Sequence, residues 1–185
     1  MAQCGKIGSV ALTGGIACGK SLVASLLRAR GIETLDADDV VHEILPEEER
    51  RRLVAEGVFR DETRRKALEA RLWPLVLERF VAWHAQETPA LRIAIIPLLF
   101  EARWDEKYDI ICTVICEEAT QLKRMIEDRG YSSEEAHGRL AAQMPVSLKA
   151  AKSHYVIHND GTREQLASEV DGFVRWLKEQ NQEGI

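Results

Sequence analysis

Five short apolar runs punctuate the chain, and between them the apolar positions change to helical spacing. Lys6–Thr13 (KIGSVALT), Leu91–Ile96 (LRIAII) and Asp109–Ile115 (DIICTVI) are β-branched and nearly continuous. That is the pattern of strands buried on both faces of a parallel sheet. Glu33–Asp36 (ETLD) and Tyr155–His158 (YVIH) are shorter and complete the predicted strands. Lys20–Arg30 carries Leu22, Val23, Leu26 and Leu27 on one stripe, and Gly31 is placed to end that helix. Glu117–Arg129 predicts a polar amphipathic helix. Ser132 with Glu135, and Thr162 with Gln165, have the spacing of capping boxes. The first opens a predicted helix to about Met144. The second opens a final helix with its stripe at Leu166, Val170, Phe173 and Leu177. This alternation predicts a three-layer α/β/α fold around a five-stranded parallel sheet, with right-handed crossovers.

Residues 38–87 break the rhythm. They hold two charge runs, Glu47–Arg52 (EEERRR) and Arg60–Lys66 (RDETRRK), and then an apolar stripe at Leu68, Leu72, Val76, Phe80 and Trp83. Pro74 falls inside that stripe and predicts a new helix or a kink. The segment reads as a helical insertion on the core. Its charge runs read as solvated helix faces, with a minority of arginines available to an anionic ligand.

The 185 residues are the length of one domain with a small insertion. Hydrophobic residues at 45% and charged residues at 30% argue against a disordered chain. The net charge of −5 argues against non-specific nucleic-acid binding, which needs a basic face to displace counterions. An anionic small molecule held by a few local positive groups stays compatible with it. No run reaches the ~20 apolar residues of a membrane span, and MAQCGKIGSVALTGG does not read as a signal peptide. Cys4, Cys18, Cys112 and Cys116 read as reduced thiols, which points to a cytoplasmic protein.

The chemistry concentrates where the first strand ends. Gly14-Gly15-Ile16-Ala17-Cys18-Gly19-Lys20-Ser21 matches GxxxxGK[ST], with a strand before and an amphipathic helix after. Glycines let such a loop curl so that backbone N–H groups face phosphate oxygens. The following helix adds its positive end. Lys20 supplies charge for the β- and γ-phosphates of a nucleoside triphosphate, and the Ser21 hydroxyl can ligand Mg2+. The motif implies nucleoside-triphosphate binding without separating kinases from other users. No NKxD-like guanine reader follows a late strand, and His158-Asn159-Asp160-Gly161 is not one. The second strand ends in Asp36-Ala37-Asp38. A carboxylate at that place can take the proton of an attacking hydroxyl or can cap the next helix.

In order along the chain, ALTGGIACGKS (Ala11–Ser21), DAD (Asp36–Asp38), IPLLFE (Ile96–Glu101), QLKRMIEDRG (Gln121–Gly130), GRLAAQ (Gly138–Gln143) and VIHNDG (Val156–Gly161) closely resemble the dephospho-coenzyme A kinases. The resemblance implies a P-loop kinase of the nucleoside-monophosphate-kinase type. Such an enzyme moves the γ-phosphate of ATP to the ribose 3′-hydroxyl of dephospho-CoA, giving CoA and ADP. It places the catalytic carboxylate at Asp38 and the phosphate-binding residues at Gly14–Ser21. It makes Arg124, Arg129 and Arg139 candidates for phosphate and adenine contacts; of these Arg129, at the helix end before Gly130, is the better placed to reach the phosphates and is the catalytic candidate. It implies a core of 1–37, 88–119 and 146–185, an acceptor-binding insertion at 38–87 and a lid at 120–145. Glu101 is a candidate for ligand orientation or for a position behind Mg2+.

Against the family pattern, His42 stands where an arginine is common, Trp73 precedes Pro74 where a histidine is usual, and Lys149 and His154 stand where arginine and aspartate are typical. The insertion is shorter than in familiar members. These changes fall mainly in the acceptor-binding part, so a related kinase with another small acceptor, or a nucleotide-binding protein with little transferase activity, is the alternative reading. The expected partner is a small-molecule substrate, with no nucleic acid and no membrane, in a monomer or weak oligomer.

Overall fold

A computed structural model describes residues 9–58, 61–86, 88 and 91–183. Residues 6–8 of the predicted first strand, Cys4 and Arg60 lie outside the described residues. The chain forms two compact units. One is Met1–Thr34 with Ala90–Ile185, and the other is Leu35–Pro89.

The strands are β1 (Val10–Gly14), β2 (Glu33–Asp36), β3 (Arg92–Ile95), β4 (Ile110–Ile115) and β5 (Tyr155–His158). They form one sheet in the order β2-β3-β1-β4-β5. The pairings of β1 with β3, β1 with β4 and β4 with β5 are parallel. Val10, Ala11 and Leu12 of β1 are fully buried, as the unbroken apolar run required. The register sets Gly14 opposite Val114, so the loop that leaves β1 starts beside the last turn-out of β4.

Helix α1 (Lys20–Arg28) follows β1 directly, and α8 (Arg163–Glu183) closes the chain. Val23, Ala24 and Leu27 of α1 meet Leu166, Val170, Phe173 and Leu177 of α8 in one core cluster with Val10, Leu12, Ile93, Ile95, Cys112 and Val114 of the sheet. Each large side chain buried there contributes roughly 1.5–3 kcal/mol. Helices α5 (Glu118–Glu127) and α6 (Ser133–Ala141) form a second cluster, in which Met125 and Ala136 pack on Ala17 of the loop after β1.

Both capping boxes are present. The Ser132 hydroxyl accepts from the Glu135 N–H, and the Glu135 carboxylate accepts from the Ser132 N–H. Thr162 and Gln165 do the same at the start of α8. Gly31, at φ 78°, ends the first helical region as its position suggested. The helix predicted to reach Met144 stops at Ala141. Pro145 then caps a separate short helix, α7 (Val146–Ala151), because proline cannot continue α6 but is tolerated just before a helix.

In the second unit, α2 (Ala37–Ile44) and α3 (Glu47–Ala55) precede a long helix, α4 (Glu62–Ala85). Pro74 neither starts a new helix nor ends this one, and α4 runs through it. The helix stays whole because its stripe is held down on both sides of the proline. Leu68, Leu72, Val76, Phe80 and Trp83 are all buried, and Leu68 and Leu72 pack with Leu45 and Val58. The charge run of α3 has no buried residue and pairs along exposed faces, Glu47 with Arg51 at 2.9 Å and Arg52 with Glu56 at 2.7 Å. Pairs so exposed add little to stability. Among the described residues no helix is long and apolar enough to cross a membrane.

Candidate active site

The loop from Gly14 to Gly19 is shaped by what its carbonyls do. Lys20 folds back so that Nζ donates to the Gly14 carbonyl at 3.0 Å and the Gly15 carbonyl at 2.8 Å. Gln121 Nε2 donates to the Ile16 carbonyl at 2.7 Å, and Arg124 Nη1 to the Ala17 carbonyl at 3.3 Å. Asn159 Nδ2 donates to the Cys18 carbonyl at 2.8 Å. The Gly19 carbonyl accepts from Leu22 and Val23 as α1 begins. Every carbonyl of the turn is therefore engaged by protein. The Ile16 N–H is held by Gln143 and the Cys18 N–H by the Gly15 carbonyl; the other loop peptides and the N-terminus of α1 form the end of the turn that favours an anion.

The glycines are required by close approach. Gly14 has φ 153°, and a Cβ there would run into the Val114 carbonyl oxygen. Gly19 has φ 90°, and a Cβ there would run into Asn159 Nδ2. Ala17 adopts φ 58°, a left-handed conformation that costs an alanine energy. The packing of Met125 and Ala136 and the Arg124 bond hold it there.

A cleft of about 340 Å3 opens beside this loop, lined by Ala17, Gly19, Arg124, Arg129, Asn159 and Arg163 among others. Three arginines against one carboxylate, Asp128, line it, a balance that suits a polyphosphate despite the acidic net charge of the chain. The structure thus brings Gly19 and Arg129 of the expected set together in one cleft. Arg124 lines it too, but its guanidinium is committed to the Ala17 and Asn159 carbonyls, at 3.3 and 2.8 Å, so it braces the loop. Arg139 is not among the lining residues. Its guanidinium lies 4.4 Å from the Tyr131 ring centre.

Ser21 sits exposed in the first turn of α1. The described residues hold no cluster of three or more His, Cys, Asp or Glu side chains suited to a metal. A hard cation that keeps waters and phosphate oxygens as its main ligands needs no such cage, so one hydroxyl at this place fits Mg2+.

Of the pair Asp36 and Asp38, Asp36 takes the capping role. Asp36 is the cap of α2, its carboxylate accepting from the Asp38 N–H at 2.9 Å. Asp38 lies in the first turn with its side chain exposed, relieved of capping. It belongs to the second unit, as do His42, exposed on α2, and Trp73, half-buried on α4.

Glu101 is engaged by protein. Lys149 Nζ lies 2.8 Å from Oε1, and the Met144 N–H donates to the same oxygen at 3.0 Å. His154 keeps an acceptor where an aspartate is typical, since its Nδ1 accepts from the Ile111 N–H at 3.0 Å. Cys18 and Cys116 are buried thiols with sulfurs 3.4 Å apart. The Cys116 thiol donates to Cys18, and this bond, aided by Lys20, lowers the Cys18 pKa below the ordinary thiol value.

Sequence reasoning missed Gln121, Gln143 and Asn159 as parts of the site. Gln143 Oε1 accepts from the Ile16 N–H at 3.2 Å. Their segments stood out, but nothing in a linear pattern says which side chain reaches a loop more than a hundred residues away.

The family model of dephospho-CoA kinase (CoaE) matches residues 8–50 and 47–165. A dephospho-CoA kinase of Bdellovibrio bacteriovorus is 31% identical over 194 residues, covering 92% of this chain and 96% of that one. A crystal structure of a Thermus thermophilus protein superposes with a TM-score of 0.75 at 31% identity, covering 91% of this chain and 96% of that one. The dephospho-CoA kinase of Campylobacter jejuni shares the fold, with a TM-score of 0.63 at 21% identity over 92% of this chain and 97% of its own. With an α/β P-loop fold, a braced phosphate loop and a match along most of its length, this chain belongs to the dephospho-CoA kinase family.

Proposed function

We propose that the protein transfers the γ-phosphoryl group of ATP to the ribose 3′-hydroxyl of dephospho-CoA, giving CoA and ADP in the last step of coenzyme A synthesis. The observation that carries this is the phosphate loop itself, with all its carbonyls engaged and an arginine-lined cleft beside it. In the step, a bond forms between the 3′-oxygen and the γ-phosphorus while the bond from that phosphorus to the bridging oxygen breaks. The hydroxyl proton passes to the Asp38 carboxylate, and ADP leaves. Little covalent help is needed, because positioning and charge stabilisation dominate phosphoryl transfer. The loop N–H groups and Lys20 hold the phosphates, and Arg129 supports the charge that develops on the transferring group. Arg139 swings from the Tyr131 ring to ATP as the lid (120–145) closes, which keeps water from competing as acceptor. Ser21, exposed in the first turn of α1, would hold Mg2+ together with the nucleotide, and the ion would supply charge neutralisation there. The segment 38–87 binds the acceptor, and the enzyme works in the cytoplasm.

Asp38→Asn tests the assignment. Turnover should fall by orders of magnitude with ATP affinity nearly unchanged. A large loss of ATP binding would instead make Asp38 a structural or metal-site residue. In the wild type, ADP release with a nucleoside or another small hydroxyl acceptor but none with dephospho-CoA would overturn the acceptor.

A further inference from the structure

Lys149 is fully buried, an expensive place for an ammonium group. Its three protons are satisfied. Nζ meets Glu101 Oε1 at 2.8 Å and Oε2 at 3.2 Å, and it donates to the Pro97 carbonyl at 3.1 Å. Both ends of this arrangement run to the phosphate loop. The Pro97 carbonyl also accepts from the Thr13 hydroxyl at 3.2 Å, and Thr13 is the residue before Gly14. Glu101 Oε1 accepts from the Met144 N–H at 3.0 Å. The neighbouring residue, Gln143, holds the Ile16 N–H, and the Ile16 carbonyl is held in turn by Gln121.

We infer that the buried Lys149–Glu101 pair is a positioning device for phosphoryl transfer, seating the Gln143–Met144 turn on the phosphate loop. Stability alone does not account for it. Replacing a buried ion pair with neutral groups of similar volume is often neutral or stabilising, while removing one partner is costly. A charge pair does what apolar packing does not, which is to fix one geometry. Here that geometry places Gln143 on Ile16 at one end and Thr13 on Pro97 at the other. If the turn slips, the Ile16 N–H loses its partner and the loop loses its alignment with the γ-phosphate. A misplacement of about 1 Å costs around a hundredfold in rate. Lys149 and Glu101 touch no reacting atom, so the role is indirect.

The test compares Lys149→Met, Lys149→Arg and the charge-free double variant Lys149→Met/Glu101→Gln with the wild type. It measures Tm, kcat, KM for ATP and KM for dephospho-CoA. It rests on dephospho-CoA being the acceptor, and wild-type turnover in the same assay shows separately whether that holds. The double variant should fold with a Tm near that of the wild type. Its kcat should drop by about tenfold to a hundredfold, KM for ATP should rise and KM for dephospho-CoA should stay put. Lys149→Arg should recover part of kcat. A folded double variant with kcat within about twofold of the wild type would overturn the inference. So would a double variant that fails to fold, since the pair would then serve stability.

Discussion

The Asn159 side chain offers a direct measure of how far nucleotide binding depends on the loop's carbonyl bracing. Asn159→Leu keeps nearly the same shape and branching but removes the amide that donates to the Cys18 carbonyl at 2.8 Å. Asn159 is only 5% exposed, so water cannot readily replace the donor. The loss is that of a buried carbonyl left without a partner, about 1–3 kcal/mol. Taking about 2 kcal/mol, and about 2–4 °C per kcal/mol for a chain of this size, Tm should fall by about 4–8 °C. The backbone bonds of Asn159, its N–H to the Ile115 carbonyl and its carbonyl from Arg124, survive the change. The damage should therefore be local. With the Cys18–Gly19 peptide free to rotate, its N–H no longer points reliably at phosphate, and KM for ATP should rise by about tenfold if some 1.4 kcal/mol of the loss falls on binding. Thermal denaturation with and without ATP, together with steady-state kinetics, reads both effects. A variant with Tm within about 1 °C of the wild type and unchanged KM for ATP would show that the bracing bond does not shape the loop.

Gly19→Ala should abolish most ATP binding, because it joins a left-handed φ of 90° to a collision with Asn159 Nδ2. Combined with Asn159→Ala, which removes the obstacle, part of the loss should return, and strict additivity in the double variant would refute the collision. Pro74→Ala supplies the missing N–H to the Ala70 carbonyl inside α4 and should raise Tm and helical circular dichroism; a lower Tm would mean the helix is built around the proline.

The alternation of strands and helices was readable because it is local. Apolar continuity gave β1 and β4, two capping boxes gave the starts of α6 and α8, and GxxxxGKS gave the phosphate loop. What escaped was non-local or competitive. Pro74 was weighed on its own cost, while the buried stripe from Leu68 to Trp83 kept α4 intact. Pro145 was not weighed as a helix start, and α7 was missed with it. Arg124 looked like a ligand contact because it is cationic and in the right segment. Its partners, the Ala17 and Asn159 carbonyls, become visible only once β5 lies beside β4. Lys149 looked like a variation before the last strand, and its burial against Glu101 was not encoded in any local spacing.

The bracing of the phosphate loop also has a bearing on biosynthesis of the chain. The side chains that hold residues 16–18 come from Gln121, Arg124, Gln143 and Asn159, separated from their partners by 105, 107, 127 and 141 residues. A nascent chain emerging from the ribosome carries the complete GxxxxGKS signature long before it carries any of these groups. Contacts so distant along the chain form late and slow the folding of a domain. Affinity for ATP should therefore arise abruptly, and only after β5 and Asn159 have emerged. A truncated or half-made copy would bear the signature yet draw no ATP from the cell.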